Sequence, residues 1–166
     1  MKLLVLIRHA KSSWADTSLS DFDRPLNERG RTDAPEMAQR LVNRQLKLDC
    51  FLTSTANRAK QTCNYFAAAF KKTEGSIIFK QELYLAPPQL FYKCISDMNN
   101  AFESVAVFAH NPGITEFANS LTNTRIDDMP TCSIFAIKMK EKSWKNFAKA
   151  EKEFFFFDFP KSSTGF

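Results

Sequence analysis

Five apolar residues, Leu3 to Ile7, begin just after Met1-Lys2 and stop abruptly at Arg8-His9. A short unbroken run of this kind reads as a strand buried on both faces, as in the parallel sheets of α/β proteins. Open α/β sheets bind their ligands at the carboxyl ends of the strands, so this run delivers a cation and an imidazole to that edge. A second run, Val105 to Ala109, ends in the same way at His110. The chain has two histidines, and each follows such a run. The pattern predicts that both imidazoles meet at one rim.

The rest of the chain alternates between the two periodicities. A polar loop, Lys11 to Asn27, leads to a helical pattern over Glu28 to Lys47, with Met37, Leu41, Val42 and Leu46 on one face. Pro35 should bend that helix or sit near its first turns. Cys50 to Thr53 reads as a strand, Thr55 to Phe70 as a helix and Ile77 to Phe79 as a short strand. Pro87-Pro88 opens a helix running to Met98. Ser104 to Ala109 is a strand, Pro112 to Leu121 a helix, and Cys132 to Met139 and Phe154 to Phe159 are late strands. Strands separated by helices predict a three-layer α/β/α sandwich: a mostly parallel central sheet of five to six strands with helices on both faces. At 166 residues the chain suits one domain, spanning 1–160, and the tail Lys161 to Phe166 is expected to fray.

Composition narrows the setting. No segment has the roughly 20 apolar residues that cross a bilayer, and no secretory leader is evident, so no membrane partner is expected. The four cysteines form no Cys-x-x-Cys pair, which fits a thiol-reduced, cytoplasmic protein. The net charge of +5 could serve an acidic surface or a phosphate. Its lysines are scattered and lack interleaved aromatics, so nucleic acid is not the expected partner.

Arg58 follows the strand that ends in Leu52-Thr53-Ser54 and falls in the first turn of a helix, whose amino end attracts anions. Together Arg8, His9, Arg58 and His110 would form a pocket of two guanidiniums and two imidazoles, suited to a phosphoryl group. Competing chemistries lack their residues. No cysteine has arginine six positions on, as a Cys-x5-Arg phosphatase requires. The four glycines form no P-loop, and no nucleophile elbow surrounds Ser12 or Ser13. Trp14 and Phe22 are candidates for a wall of the rim.

Leu6-Ile7-Arg8-His9-Ala10 resembles the opening Arg-His-Gly motif of the histidine phosphatase superfamily, the phosphoglycerate-mutase-like group. Pro25-Leu26-Asn27-Glu28-Arg29-Gly30 is similar to its Leu-Thr-x-x-Gly segment. Ser54 to Thr62 resembles its Ser-x-x-x-Arg-Ala-x-x-Thr segment, and His110-Asn111-Pro112-Gly113 its second-histidine motif. The resemblance spans Lys2 to about Ser133 and is greatest to the small phosphohistidine phosphatases of the SixA type.

The resemblance implies a phosphoglycerate-mutase-like fold and a metal-independent phosphatase with no cofactor. His9 would attack phosphorus through a neutral ring nitrogen, forming a phosphohistidine that water cleaves. Its other nitrogen would donate to a carbonyl or carboxylate, and neighbouring arginine charge would keep the ring unprotonated. Arg8, Arg58 and His110 would hold the phosphoryl oxygens, with Ser12, Asn27 and Asn111 as further substrate contacts. Glu82 falls where the family's acid is sought, with Asp21 and Asp23 as rivals; Asp23 could instead pair with Arg24.

Two departures bear on the substrate. Ala10 replaces the family glycine, and Ala15 lies where the mutases carry a phosphate-contacting asparagine. Only 20 residues separate Leu83 from Ser104, too few for the helical lid of the larger relatives. The expected site is therefore shallow, open and basic, suited to a phosphohistidine-bearing protein. A small phosphomonoester substrate and a non-catalytic phosphate-binding module are the alternatives.

Overall fold

The computed structural model describes residues 1–161; all of the tail expected to fray except Lys161 lies outside them. Six strands form one sheet: β1 (Lys2–Arg8), β2 (Cys50–Thr53), β3 (Ile77–Phe79), β4 (Ser104–Ala109), β5 (Ile134–Met139) and β6 (Lys152–Asp158). Their spatial order is β3-β2-β4-β1-β5-β6. The four strands from β3 to β1 are parallel, and β5 and β6 join antiparallel at the other side. Four α-helices connect them: α1 (Glu28–Asn43), α2 (Asn57–Ala69), α3 (Pro88–Ser96) and α4 (Gly113–Leu121).

The layers follow from the strand alternation. Leu4 and Leu6 of β1, with Val105 and Val107 of β4, pack on one face against Phe91 and Ile95 of α3 and Phe117 of α4. Val5, Ile7, Ala106 and Phe108 point the other way, against Met37 and Leu41 of α1 and Phe66 of α2. Two buried faces require the unbroken apolar runs seen in the sequence. The expected sandwich with helices on both faces is present, around a mixed sheet.

This arrangement fixes where a ligand can bind. The chain leaves β1 toward the α1 layer and leaves the adjacent β4 toward the α4 layer, so a crevice opens between their carboxyl ends. The register sets Arg8 beside Ala109, which makes His9 and His110 neighbours. The Cys132 N–H donates to the carbonyls of both Arg8 and His9, at 3.1 and 3.0 Å, and so fastens the end of β1. With Cys132 at φ 62°, β5 starts at Ile134, two residues later than the apolar pattern indicated.

Other boundaries differ from the sequence pattern as well: β6 begins at Lys152 rather than Phe154, and α3 ends at Ser96 rather than Met98. Pro35 lies well inside α1, which continues past it to Asn43 and stops before Gln45, at φ 58°. Leu46 still packs on the core from the turn beyond, which explains why the periodicity outlasts the helix. Ser54 to Ala56 form the turn ahead of α2, so that helix begins at Asn57. All four cysteines are buried and unpaired. Among the described residues, no helix is long and apolar enough to cross a membrane.

Candidate active site

A cleft of about 320 Å³ opens at the β1/β4 crevice, lined by Arg8, His9, Arg58 and His110 together with Lys11, Ser12, Trp14, Asp21, Arg24, Leu85, Asn111 and Thr131. The four side chains singled out from the sequence therefore share one site. The two imidazole centroids lie 5.1 Å apart, and both rings are almost fully buried.

His9 has a defined tautomer. Its Nδ1 lies 2.8 Å from the Ala10 carbonyl, an acceptor only, so Nδ1 carries the proton. Nε2 then presents a lone pair, which accepts from Arg58 Nε at 3.2 Å. Burial, then the His110 ring and the charges of Arg58 and Arg8, hold the His9 imidazole well below its usual 6.5, against the pull of the Ala10 hydrogen bond. Desolvation, rather than the arginine charge expected from the sequence, is the largest cause.

Loop and helix packing position these groups. The Thr62 hydroxyl, one turn after Arg58, accepts from the Ala10 N–H at 2.9 Å and donates to the Arg58 carbonyl at 2.8 Å. The Arg58-to-Thr62 spacing thus ties the α2 start to the loop that carries His9. Ser54 Oγ lies 2.8 Å from His110 Nε2 and orients that ring. His110 Nδ1 and Arg8 Nε are buried with no partner among the described residues. Burial, followed by Arg58 and Arg8, lowers the His110 pKa to about 3, with Asp21 opposing. Arg8 donates to the Met129 carbonyl at 2.8 Å and lies 3.8 Å from Asp128.

Close backbone approach accounts for two motif glycines. A Cβ on Gly30 would lie 2.2 Å from the Lys11 carbonyl oxygen, and one on Gly113 would lie 1.8 Å from that of Ala86. Those glycines let the loop after β1 and the loop before α3 close over the crevice.

The remaining candidates separate. Ser12 lines the cleft, its hydroxyl accepting from Arg24 at 2.7 Å. Asn111 also lines it, but its amide donates to Asp128 at 2.6 Å and accepts from Thr115 at 2.6 Å. Asn27 caps α1, accepting from the Gly30 N–H at 2.9 Å, and is not among the lining residues. Glu82 is exposed on a 3-10 turn and does not line the cleft either. Asp23 binds Ser20 at 2.7 Å, and the expected Asp23–Arg24 pair is absent because Arg24 pairs with Asp21 at 2.9 Å. Phe22 packs edge-on against Tyr84, with centroids 5.1 Å apart.

Asp21 is the feature that sequence reasoning undervalued. Its carboxylate accepts from Arg58 at 3.0 Å, Arg24 at 2.9 Å and the Tyr84 hydroxyl at 2.5 Å, and its carbonyl accepts from Arg58 at 2.6 Å. Partial desolvation raises its pKa, but the bonds from Tyr84, Arg24 and Arg58 outweigh this and hold the carboxyl far below the usual range. It is therefore an ionised anchor for two arginines at neutral pH.

Comparison with known proteins bears on the family and the fold. The family model of the histidine phosphatase superfamily (branch 1) matches residues 4–83. An uncharacterized protein of Mycobacterium tuberculosis is 30% identical over 112 residues, 68% of this chain and 67% of that protein. A crystal structure assigned as the phosphohistidine phosphatase SixA from Agrobacterium tumefaciens superposes with a TM-score of 0.80 at 25% identity, covering 95% of this chain and 97% of that one. A mycobacterial glucosyl-3-phosphoglycerate phosphatase has the same fold, with a TM-score of 0.64 at 14% identity over 93% and 97% of the two chains.

Proposed function

Because the chain belongs to the histidine phosphatase superfamily, we propose that it is a phosphatase that hydrolyses protein phosphohistidine, with His9 as the nucleophile. The observation that carries the reading is the state of His9: a buried, neutral ring whose Nε2 lone pair faces the cleft-lining Arg58.

The first step forms a bond from His9 Nε2 to phosphorus while the bond from phosphorus to the leaving group breaks, the leaving group keeping the electron pair. Arg58 and Arg8 take the phosphoryl oxygens, and with His110 Nε2 accepting from the Ser54 hydroxyl, His110 Nδ1, buried with no partner among the described residues, supplies a further donor. In the second step water attacks phosphorus, the P–N bond returns its electrons to His9, and the water proton leaves with phosphate or solvent. Charge is neutralised by guanidiniums throughout, so the scheme calls for no metal.

The leaving group decides between substrates. Asp21 is the one acidic side chain among the described residues lining the cleft, and its ionised state disqualifies it as a proton donor. Glu82 lies outside that lining, so the scheme gives it no role. A cleft without a carboxylic acid favours a leaving group that departs without strong protonation. The imidazole of a phosphohistidine meets that condition because its other ring nitrogen takes a proton from solvent near neutral pH, so that it departs as neutral imidazole, whereas a sugar alkoxide departs as a strong base. The segment between Leu83 and Ser104 fits the same substrate: its helix, α3, packs into the core through Phe91 and Ile95.

The test presents a phosphohistidine-bearing protein and a panel of alkyl phosphomonoesters to the wild-type protein and to His9→Ala. The wild type is expected to dephosphorylate the protein at least about tenfold faster than any alkyl ester. Preference for one sugar phosphate would overturn the substrate assignment, and activity retained by His9→Ala would overturn the mechanism.

A further inference from the structure

Two apolar side chains stand at the cleft mouth in conditions that packing does not explain. Trp14 is 70% exposed, and Leu85 is 54% exposed at a φ of 49°, a left-handed conformation that leucine rarely adopts. Single exposed apolar residues are ordinary on protein surfaces. These two line the same cleft as His9, and each is held in place.

The Arg24 guanidinium lies 3.5 Å from the centre of the Trp14 ring and covers one indole face. Arg24 is itself buried, fixed by Ser12 at 2.7 Å and by Asp21 at 2.9 Å. The same Asp21 holds Arg58, so one carboxylate connects the phosphoryl-binding group to the arginine that backs the indole. The tryptophan is a platform set in advance, with its other face open. Leu85 sits between two fixed neighbours, Tyr84, whose hydroxyl binds Asp21, and Ala86, whose carbonyl abuts Gly113. Those anchors sustain its backbone conformation and present its side chain to the cleft.

We propose that Trp14 and Leu85 form the leaving-group subsite, a specificity-determining pair that receives a neutral planar ring carrying the phosphoryl group. The proposal rests on His9 being the nucleophile and assigns residues to the recognition of its substrate. An indole face backed by a cation, with a leucine lining the same cleft, offers stacking and apolar contact to an imidazole or aryl ring. It offers little to a polyhydroxylated leaving group, whose hydroxyls would lose water against Leu85 without gaining partners.

The experiment measures calorimetric binding of phenylphosphonate and methylphosphonate, whose P–C bonds resist hydrolysis, to the wild type, Trp14→Ala, Trp14→Phe, Leu85→Asn and the Trp14→Ala/Leu85→Asn double variant. Asparagine tolerates the left-handed backbone at position 85, so that substitution removes the apolar group and keeps the turn. The wild type should bind the phenyl compound about tenfold more tightly than the methyl one, and the double variant should bring the ratio near one. Trp14→Phe should keep most of the preference, and methylphosphonate affinity should stay within about twofold throughout. A ratio near one in the wild type, an undiminished ratio in the double variant, or equal losses for both compounds would overturn the subsite. Turnover of phenyl phosphate is read in parallel: its absence alongside an intact binding ratio would count against the reaction assigned to His9 and leave the subsite standing.

Discussion

Replacing Arg58 with methionine isolates the contribution of the guanidinium that touches His9. Methionine keeps an unbranched apolar stem in a buried position and removes the charge and its donors. At an effective dielectric near 20, unit charges about 4 Å apart interact by about 4 kcal/mol. Arg58 already shares its charge with Asp21 at 3.0 Å, so the full sum does not reach the phosphoryl oxygens. Allowing about 3 kcal/mol for the transition state predicts a loss of roughly 10² in kcat/KM, in the range seen when one positioned donor is removed. A second signature follows, because Arg58 also holds down the pKa of both imidazoles. Arg58→Met should therefore show an activity decline on acidification that sets in at higher pH than in the wild type. Asp21 keeps its bonds to Arg24 and Tyr84, so the folding cost should be about 1 kcal/mol. Rates on phenyl phosphate from about pH 5 to 8, with urea midpoints, test all three. A loss below tenfold in a folded variant, or an unmoved pH profile, would refute the reasoning.

Stability should fall on acidification before the carboxylates titrate. The unfolded chain protonates both imidazoles near 6.5, whereas folded His110 resists until about 3, so full stability holds above pH 6.5 and declines below it. Between pH 6.5 and 5 the neutral His110 imidazole accounts for about 2 kcal/mol of that loss, His9 adds to it in the same direction, and His110→Gln should flatten the slope of urea-derived stability against pH. Gly113→Ala should cost about 3 kcal/mol in the same assay, because its Cβ would meet the Ala86 carbonyl oxygen at 1.8 Å; a cost below about 1 kcal/mol would deny that close approach. Glu82→Gln should change kcat/KM on alkyl and aryl phosphates by less than about twofold, since the side chain lies outside the cleft lining.

The legible parts of this protein are those where one residue's environment follows from its neighbours in sequence. β1 and β4 are buried on both faces, and their unbroken apolar runs announced this and aimed His9 and His110 at one edge. Arg58 was equally accessible because a strand end and a helix start adjoin in sequence. The Asp21 cluster was not. Its partners Arg24, Arg58 and Tyr84 come from three segments, and nothing in the spacing of Asp21 and Asp23 distinguishes the anchor from its neighbour. Asn27 shows the opposite error: a motif residue beside the site that serves as a helix cap. The end of β1 depends likewise on Cys132, an apolar residue that reads as strand until its N–H turns back to Arg8 and His9.

The central claim is that His9 carries the phosphoryl group during turnover. Rapid quenching of the wild type with a phosphoryl donor, followed by peptide mass spectrometry, should find an acid-labile, base-stable phosphoramidate on the peptide containing His9. His9→Ala should yield no phosphopeptide and no turnover. A phosphoryl group recovered on any other residue, or undiminished hydrolysis by His9→Ala, would contradict the account.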